Sequence, residues 1–169
     1  VFSAARRRRF ENISLDLMFA LPGQSRERWR ETLERALQLG PEHLSCYSLT
    51  IEEGTPCARR VERGQLLPIA DDIQADLMED ADAITRAVGV ERYEVSNYAR
   101  SGFECRHNLN YWRGGDYLAA GCGAHGHKDG HRWWNERDAA LYIQKVQQEG
   151  TAGVGEEHLT PQQRLNEIV

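Results

Sequence analysis

Residues Ile13–Gln24 read ISLDLMFALPGQ, and this segment decides the fold. Alternate residues from Ile13 to Phe19 are apolar and share one face, while Asp16 lies on the other face, which is the period of a β-strand. The following Leu-Pro-Gly-Gln is typical of a turn, and Ser25 is a suitable N-cap for a helix. The segment therefore predicts a strand–turn–helix unit, as in an α/β fold.

Similar units are predicted along the rest of the chain. Helices are expected at Phe2–Arg9, from Ser25 to Gly40, from Asp71 to Gly89 and at Asp138–Gln148. Further strands are expected at His43–Ile51, at Arg92–Ser96 and within Tyr117–Gly123 and Ala124–Lys128. Strands that alternate with helices over short loops predict parallel βα units, whose loops after the strands meet at one end and bind ligands there.

The end of the chain differs in composition. Gly150–Gly155 is rich in glycine and predicts a linker, and Thr160-Pro161-Gln162-Gln163 has the pattern of a helix start, with Thr160 as the N-cap. We therefore expect one domain over residues 1–149, a linker over 150–159 and the start of a helical domain over 160–169. Because both ends fall inside predicted helices, we interpret the chain as a piece of a longer protein.

Composition and charge narrow the classes of function. The 169 residues carry a net charge of −5, which argues against general nucleic-acid binding, and Arg6–Arg9 is interpreted as a solvated helix end. No apolar run approaches the ~20 residues of a membrane span, and no signal-peptide pattern is visible. The four cysteines lack metal-ligand spacing and are expected to be reduced thiols, which favours a cytoplasmic protein.

Two candidate sites follow from the predicted strands. Asp16 is a carboxylate in the middle of a strand, so it is either a salt-bridged structural residue or an acceptor for ligand hydroxyl or amine groups. Glu94 and Ser96 share a face of their predicted strand, and Asn97 at its end is either a turn residue or a ligand contact.

The segments 107–112 and 125–127 hold an unusual mixture of side chains. His107, Asn108, Tyr111 and Trp112 fit either a loop with packed aromatics or contact with a metal, a heme iron or a stacked planar ligand. His125 and His127 share one strand face, as in a metal pair, but no third ligand at clear spacing accompanies them, so a structural role is preferred.

Four segments of the chain resemble segments of a known family. The string LDLMFALPGQ at 15–24 is similar to a segment of oxygen-independent coproporphyrinogen III oxidases and their relatives, with Ala20 in place of the usual Gly. The strings YEVSNYA at 93–99, HNLNYW at 107–112 and GCGAHGH at 121–127 resemble the HemW branch of that family, the heme chaperones. The resemblance runs through the whole chain, with the motifs in the order of the family.

The resemblance implies a fold and a set of ligands. It implies the C-terminal half of an incomplete (β/α)6 radical SAM barrel of TIM-like architecture. Independently of the resemblance, Trp133 and Trp134, with Asn135, are expected to cap the barrel beside Arg132. Asp16, and with it Thr50 and His127, would contact S-adenosylmethionine, whereas His107, with Asn108, Tyr111 and Trp112 around it, would contact heme. The family's [4Fe–4S] cluster requires a Cys-x3-Cys-x2-Cys loop, and the nearest two cysteines here are 11 residues apart, so its ligands are expected outside this chain.

Three functions are consistent with these patterns. The first is a heme chaperone that binds heme and S-adenosylmethionine and transfers heme to acceptor proteins, in the cytoplasm or at a membrane surface. The second is an oxygen-independent coproporphyrinogen III dehydrogenase of porphyrin biosynthesis, against which the HNxxYW motif weighs. The third is a metal-dependent barrel hydrolase that uses His125 and His127.

Overall fold

The computed structural model describes residues 1–167, and the chain forms two compact units, Val1–Glu104 and the residues from Cys105 onward. The first unit contains α1 (Phe2–Arg7), β1 (Ser14–Phe19), α2 (Arg26–Gln38), β2 (His43–Ser48), α3 (Pro56–Glu62), α4 (Asp71–Arg86), β3 (Glu91–Arg92) and β4 (Asn97–Ala99). The second contains α5 (Arg106–Trp112), β5 (His125–Lys128), β6 (His131–Asn135), α6 (Ala139–Glu149), β7 (Gly153–His158) and α7 (Pro161–Glu167).

The first unit has a four-stranded sheet in the order β1-β2-β4-β3. Strands β1 and β2 are parallel and joined through α2, which confirms the predicted strand–helix–strand unit. The strand predicted at Arg92–Ser96 was wrong, because residues 93–96 form a turn and β4 runs antiparallel to both β2 and β3. The Glu94 carboxylate accepts a hydrogen bond from the Ser96 N–H at 3.1 Å, and this contact closes the turn.

The core lies between one face of this sheet and the helices α2 and α4. Trp29 and Leu33 of α2 and Leu77 of α4 are fully buried with Phe19 and Leu44 of the sheet. The Trp29 indole N–H donates to the Leu77 carbonyl at 2.8 Å, so the largest core side chain has no unsatisfied polar atom. Burial of one Trp contributes roughly 4–6 kcal/mol of transfer free energy, which anchors α2 on the sheet.

Local signals fixed most helix starts, with two corrections. Ser25 caps α2 as predicted, since its Oγ accepts from the Arg28 N–H at 3.3 Å. The predicted solvated run Arg6–Arg9 was wrong for Arg6, whose guanidinium is paired with Glu42 at 2.6 Å and bonded to the Gly40 carbonyl. Helix α3 was missed, although Thr55 caps it by accepting from the Ala58 N–H at 3.1 Å.

The second unit has an antiparallel sheet in the order β5-β6-β7. The linker predicted over 150–159 was wrong for residues 153–158, which form β7 and pair with β6. One further strand was predicted from the ranges Tyr117–Gly123 and Ala124–Lys128 together, and in the first range only Tyr117 pairs, in an isolated bridge to His127. The strand predicted at Ala124–Lys128 is present as β5, in a hairpin with β6.

Two glycines of this sheet, one on β5 and one on β7, pack against tryptophans of β6. A Cβ atom on Gly126 would lie 2.3 Å from an indole carbon of Trp133, and one on Gly155 would lie 2.4 Å from an indole carbon of Trp134. Each tryptophan of β6 therefore covers a glycine on a neighbouring strand. The role of the two tryptophans as a cap for the barrel stays a prediction.

Helices α6 and α7 of the second unit begin at residues whose side chains cap them. Asp138 caps α6 by accepting from two backbone N–H groups, and Gly150 ends it in the left-handed conformation, which confirms the helix predicted there. Thr160 and Gln163 form a reciprocal capping box, with N–H donors 2.8 and 3.3 Å from the accepting side-chain oxygens, so the predicted helix start is confirmed. The last two residues of the predicted segment 160–169 lie outside the described residues. Within residues 1–167, no helix has the length and apolar character that crossing a membrane requires.

Candidate functional site

The first candidate surface is the side of the four-stranded sheet opposite the core. Strand pairing places Asp16, Ser45 and Asn97 in one row across β1, β2 and β4, and Ser14 and His43 in the next row. We call these five residues the polar face. Asp16 is exposed, whereas Ser45 and Asn97 are buried, and within residues 1–167 the Asn97 Oδ1 atom has no hydrogen-bond partner.

A hydrogen-bond network of two hydroxyl groups and one imidazole begins on the polar face. Ser14 Oγ lies 2.8 Å from His43 Nδ1, and His43 Nε2 lies 2.8 Å from the Tyr93 hydroxyl. Burial lowers the pKa of His43, although the carboxylates of Asp16 and Glu94 act in the opposite direction. The imidazole is therefore neutral at neutral pH, with one nitrogen that donates and one that accepts.

Sequence reasoning missed this hydrogen-bond network. Ser14 and His43 are the first residues of their strands, and the parallel register that makes them neighbours could have been inferred from that. The contact of Tyr93 with His43 could not have been inferred, because Tyr93 follows the two-residue strand β3 and lies in a turn. The predicted strand face shared by Glu94 and Ser96 does not exist, since both residues lie in this turn.

A cleft of ≈ 660 Å³ lies beyond the ends of β1 and β2. Thr50 lines this cleft, together with Ala20, Pro22 and Gln74. Parallel strands place their following loops at one end of a sheet, which is where Thr50 was predicted to meet a ligand. Asp16 lies in the middle of β1 and is not among the residues that line this cleft.

The second candidate surface is an aromatic cluster within the second unit. His107 meets the ring of Tyr111 with centroids 4.5 Å apart, Tyr111 meets Tyr117 at 4.4 Å, and Tyr117 meets His127 at 5.7 Å. We call these four residues the aromatic cluster. The segment 106–112 is a helix, which excludes a loop, one of the two alternatives considered for these residues. The helix places His107 and Tyr111 one turn apart on a single side.

Exposure differs sharply between the two ends of the aromatic cluster. His107 is exposed, and its ring contacts the ring of Tyr111. His127 is 5% exposed, and its Nδ1 atom lies 3.2 Å from the Gly115 carbonyl and 3.4 Å from the Asp116 carboxylate. His107 can therefore ligate an incoming group, while His127 is already held by its own unit.

The other residues of the segment 107–112 support the helix. Asn108 and Trp112 are half-buried. Asn110 donates from its amide to the Asp116 carbonyl at 2.9 Å and lies so close over Gly115 that a Cβ atom there would be 2.1 Å from Asn110 Oδ1. The motif thus fixes the loop that follows α5 as well as presenting its aromatic residues.

His125 and His127 do not form a metal pair with a third ligand. His125 is exposed and stacks on Trp134, with ring centroids 5.8 Å apart, whereas His127 is buried beside Tyr117. Within residues 1–167, neither imidazole belongs to a group of three side chains that could hold an ion. The structure therefore gives no support to the hydrolase hypothesis.

The cysteines do not fit an iron–sulfur cluster. Cys46 is buried in the core, and burial raises the pKa of its thiol to about 12, so it is not a thiolate at neutral pH. Cys57 lies in the first unit, and Cys105 and Cys122 belong to the second. Among the described residues no three cysteines come together, so these thiols do not supply the ligand set that a cluster requires.

Comparison with solved structures defines the fold. The structure of coproporphyrinogen III oxidase (HemN) from Escherichia coli, a radical SAM enzyme, matches with a TM-score of 0.77 at 20% identity, over 98% of this chain and 41% of that one. The fold is therefore part of the TIM-like barrel of radical SAM proteins, as the sequence predicted. A scan against models of protein families gave no match.

Sequence relatives narrow the class to a family. The heme chaperone HemW of Mycobacterium tuberculosis is 44% identical over 80% of this chain, that of Bacillus subtilis 36% over 98%, and that of Escherichia coli 47% over 68%. This chain is a HemW-like member of the radical SAM family. It spans 35%, 44% and 29% of the length of these three relatives, respectively.

Proposed function

We propose that this chain is the part of a HemW-type heme chaperone that binds heme and contributes to binding S-adenosylmethionine. The observation that carries the proposal is the exposed His107 imidazole at one end of the aromatic cluster. Heme is the cargo of such a protein, and an imidazole with accessible nitrogens is a common axial ligand of heme iron. The relatives that match along the chain are named heme chaperones, which supports the same function.

The neighbours of His107 suit a planar, largely apolar ligand. Tyr111 is 42% exposed, so part of its ring is available for contact beside the imidazole. Burial and the neighbouring Tyr117 raise the pKa of the Tyr111 phenol, which stays protonated at neutral pH and is a poor iron ligand. We therefore assign ligation to His107 and ring contact to Tyr111, with Asn108 and Trp112 on the same helix as supporting contacts.

The polar face suits the donor groups of S-adenosylmethionine. This ligand carries an ammonium group and ribose hydroxyls, which donate hydrogen bonds. Asp16 is an exposed carboxylate of the polar face, and the buried Asn97 Oδ1 atom is an acceptor without a hydrogen-bond partner within residues 1–167. Thr50 would act from the cleft beyond β2. The contact with His127 stays a prediction, because this imidazole is buried within the second unit. Radical chemistry would be supplied by a cluster-bound S-adenosylmethionine, so the described residues contribute binding and orientation.

Heme titration of the full-length protein tests the proposal. His107→Ala is expected to weaken heme binding at least tenfold and to change the Soret band, because the axial ligand is lost. His125→Ala is the matched control, since it removes another exposed imidazole of the same unit. Equal heme affinity in the wild type and His107→Ala, or an equal loss in both variants, would contradict the assignment.

The remaining parts of the proposal concern cellular context. A heme chaperone hands heme to acceptor proteins, and we place this activity in the cytoplasm, with peripheral contact to a membrane as one route to acceptors. Coproporphyrinogen dehydrogenation is the alternative, and its support is the likeness in fold to coproporphyrinogen III oxidase at 20% identity. Turnover of coproporphyrinogen by full-length protein, given S-adenosylmethionine and a reductant, would favour that alternative.

A further inference from the structure

A second group of ligating side chains lies on β6 and β7, apart from the aromatic cluster. It consists of His131, Glu156 and His158, whose ligating atoms all lie within 4.8 Å of one another. His131 Nε2 is 2.9 Å from Glu156 Oε2, and the rings of His131 and His158 are stacked with centroids 4.6 Å apart. We infer that these three residues form a binding site for a divalent transition metal ion of the zinc class.

The antiparallel register brings the three residues together. His131 is paired directly with His158, and Glu156 lies two residues before His158 on β7. Side chains two residues apart on a strand share a face, so all three lie on the same side of the sheet. Neighbouring residues point to the other side, where Arg132 and Glu157 form an ion pair at 2.9 Å.

The donor set decides the class of ion. Two imidazoles and one carboxylate suit Zn²⁺ and its neighbours, whereas Mg²⁺ and Ca²⁺ prefer sites made of oxygen ligands. Two ligands bound at about 2.1 Å to a tetrahedral ion lie ~3.4 Å apart. The His131 nitrogen and the Glu156 oxygen, now 2.9 Å apart, therefore need to separate by only about 0.5 Å to admit the ion. Three protein ligands leave a coordination position open, as in catalytic zinc sites.

The surroundings keep the site accessible. His131 and Glu156 also line a groove of ≈ 650 Å³, so an ion and an exogenous ligand have room to enter. The side chains of His131 and Glu156 are 35% and 67% exposed, which costs little desolvation when the ion binds. Lys128 is paired with His131 on β5 and brings a cation to the same face, but it is exposed and its side chain can turn to solvent.

The simpler interpretation is an ion pair between His131 and Glu156 on a solvated sheet. The two interpretations differ in what the third residue does, because an ion pair gives no role to His158. Metal titration of the full-length, tag-free protein therefore separates them. Lys128→Ala adds a further check, since removal of a nearby cation is expected to strengthen metal binding.

Zn²⁺ binding by calorimetry, and Co²⁺ binding by visible spectroscopy, provide the test. We expect one ion per chain at this site, lost in His131→Ala and in His158→Ala and weakened at least tenfold in Glu156→Gln. Glu157→Gln and His125→Ala are matched controls, because they alter a carboxylate and an imidazole outside the group, and both should retain the ion. Co²⁺ bound here should lack the thiolate charge-transfer band that an ion on cysteines would show.

Thermal unfolding gives a second readout that does not depend on heme or S-adenosylmethionine. At a hundredfold excess over the dissociation constant, Zn²⁺ is expected to raise the Tm by about 5–10 °C in the wild type and not in His158→Ala. Circular dichroism of the variants without metal checks that they fold. An unchanged stoichiometry and Tm shift in both His131→Ala and His158→Ala would overturn the inference.

Discussion

His107 and Tyr111 lie one helical turn apart on α5, with ring centroids 4.5 Å apart and ring planes inclined at 69°. If Tyr111 supports a bound porphyrin through its ring, Tyr111→Phe should retain heme affinity, whereas Tyr111→Leu should lose roughly 0.5–1.5 kcal/mol of binding free energy. Heme titration of the full-length protein measures both variants. Equal losses in the two variants would assign the effect to the hydroxyl and contradict the role of the ring.

A variant of Asp16 tests whether the polar face binds S-adenosylmethionine. Asp16→Asn should weaken S-adenosylmethionine binding by about ten- to a hundredfold, since a hydrogen bond to a charged group contributes roughly 1.5–3 kcal/mol. Isothermal titration of the full-length protein gives the affinity, and Glu31→Gln, an exposed carboxylate on α2, is the control. Unchanged affinity in Asp16→Asn would show that this carboxylate does not contact the ligand.

Ala20 follows β1 in a conformation that favours glycine. Its φ angle is +57°, and the residue is 4% exposed at the edge of the cleft that contains Thr50. Because a left-handed alanine costs about 1 kcal/mol more than glycine, Ala20→Gly should raise the free energy of unfolding by roughly 0.5–1 kcal/mol. Urea denaturation measures the change.

Ala36→Gly is the matched control for that prediction. Ala36 is buried within the helix α2, where glycine is unfavourable, so this variant should lower the free energy of unfolding by about 1 kcal/mol or more. A decrease in both variants would mean that backbone strain at Ala20 is not the dominant effect.

Asp80 links stability to pH. Its hydrogen bonds to the Arg26 guanidinium, at 2.6 and 3.0 Å, lower the pKa of this buried carboxyl below 3.8, against the opposing effect of burial. A depressed pKa gives stability that is present above the unfolded value of 3.8 and is lost as the pH falls through the folded value.

Asp80→Asn should therefore destabilise the protein at pH 7 and flatten the loss of stability below pH 3.8. Urea midpoints measured from pH 7 to pH 2.5 give this profile. The exposed Asp72→Asn on α4 is the comparison, and we expect its profile to follow the wild type. Parallel acid profiles for Asp80→Asn and the wild type would refute the linkage.

Gly126 tests the packing of the second sheet. Gly126→Ala places a methyl group 2.3 Å from an indole carbon of Trp133, which should cost roughly 1–3 kcal/mol of stability as the ring or strand shifts. Gly153→Ala is the control, since its Cβ would meet its nearest atom at 3.9 Å. Tryptophan fluorescence during urea denaturation reports both, and equal stability of the two variants would show that the close contact at Gly126 is relieved without cost.

Sequence patterns located some elements of the site but not their arrangement. The position of Asp16 on the polar face follows from alternation along β1, and that of Thr50 follows from its place after β2. The aromatic cluster could be predicted only in part, because Tyr117 joins it through an isolated bridge to His127 that has no local signature. The same Thr-Pro pattern that revealed α7 also begins α3, where it was overlooked.

By itself, the sequence determined the β1–α2–β2 unit and the helix caps at Ser25 and Thr160, because alternation and capping depend on residues a few positions apart. Only the tertiary structure decided the antiparallel direction of β4 and the entry of a glycine-rich stretch into the second sheet. It also decided the hydrogen-bond network from Ser14 through His43 to Tyr93. These features depend on strand register and on rings that pack over distant glycines, and such contacts leave no period in the local sequence.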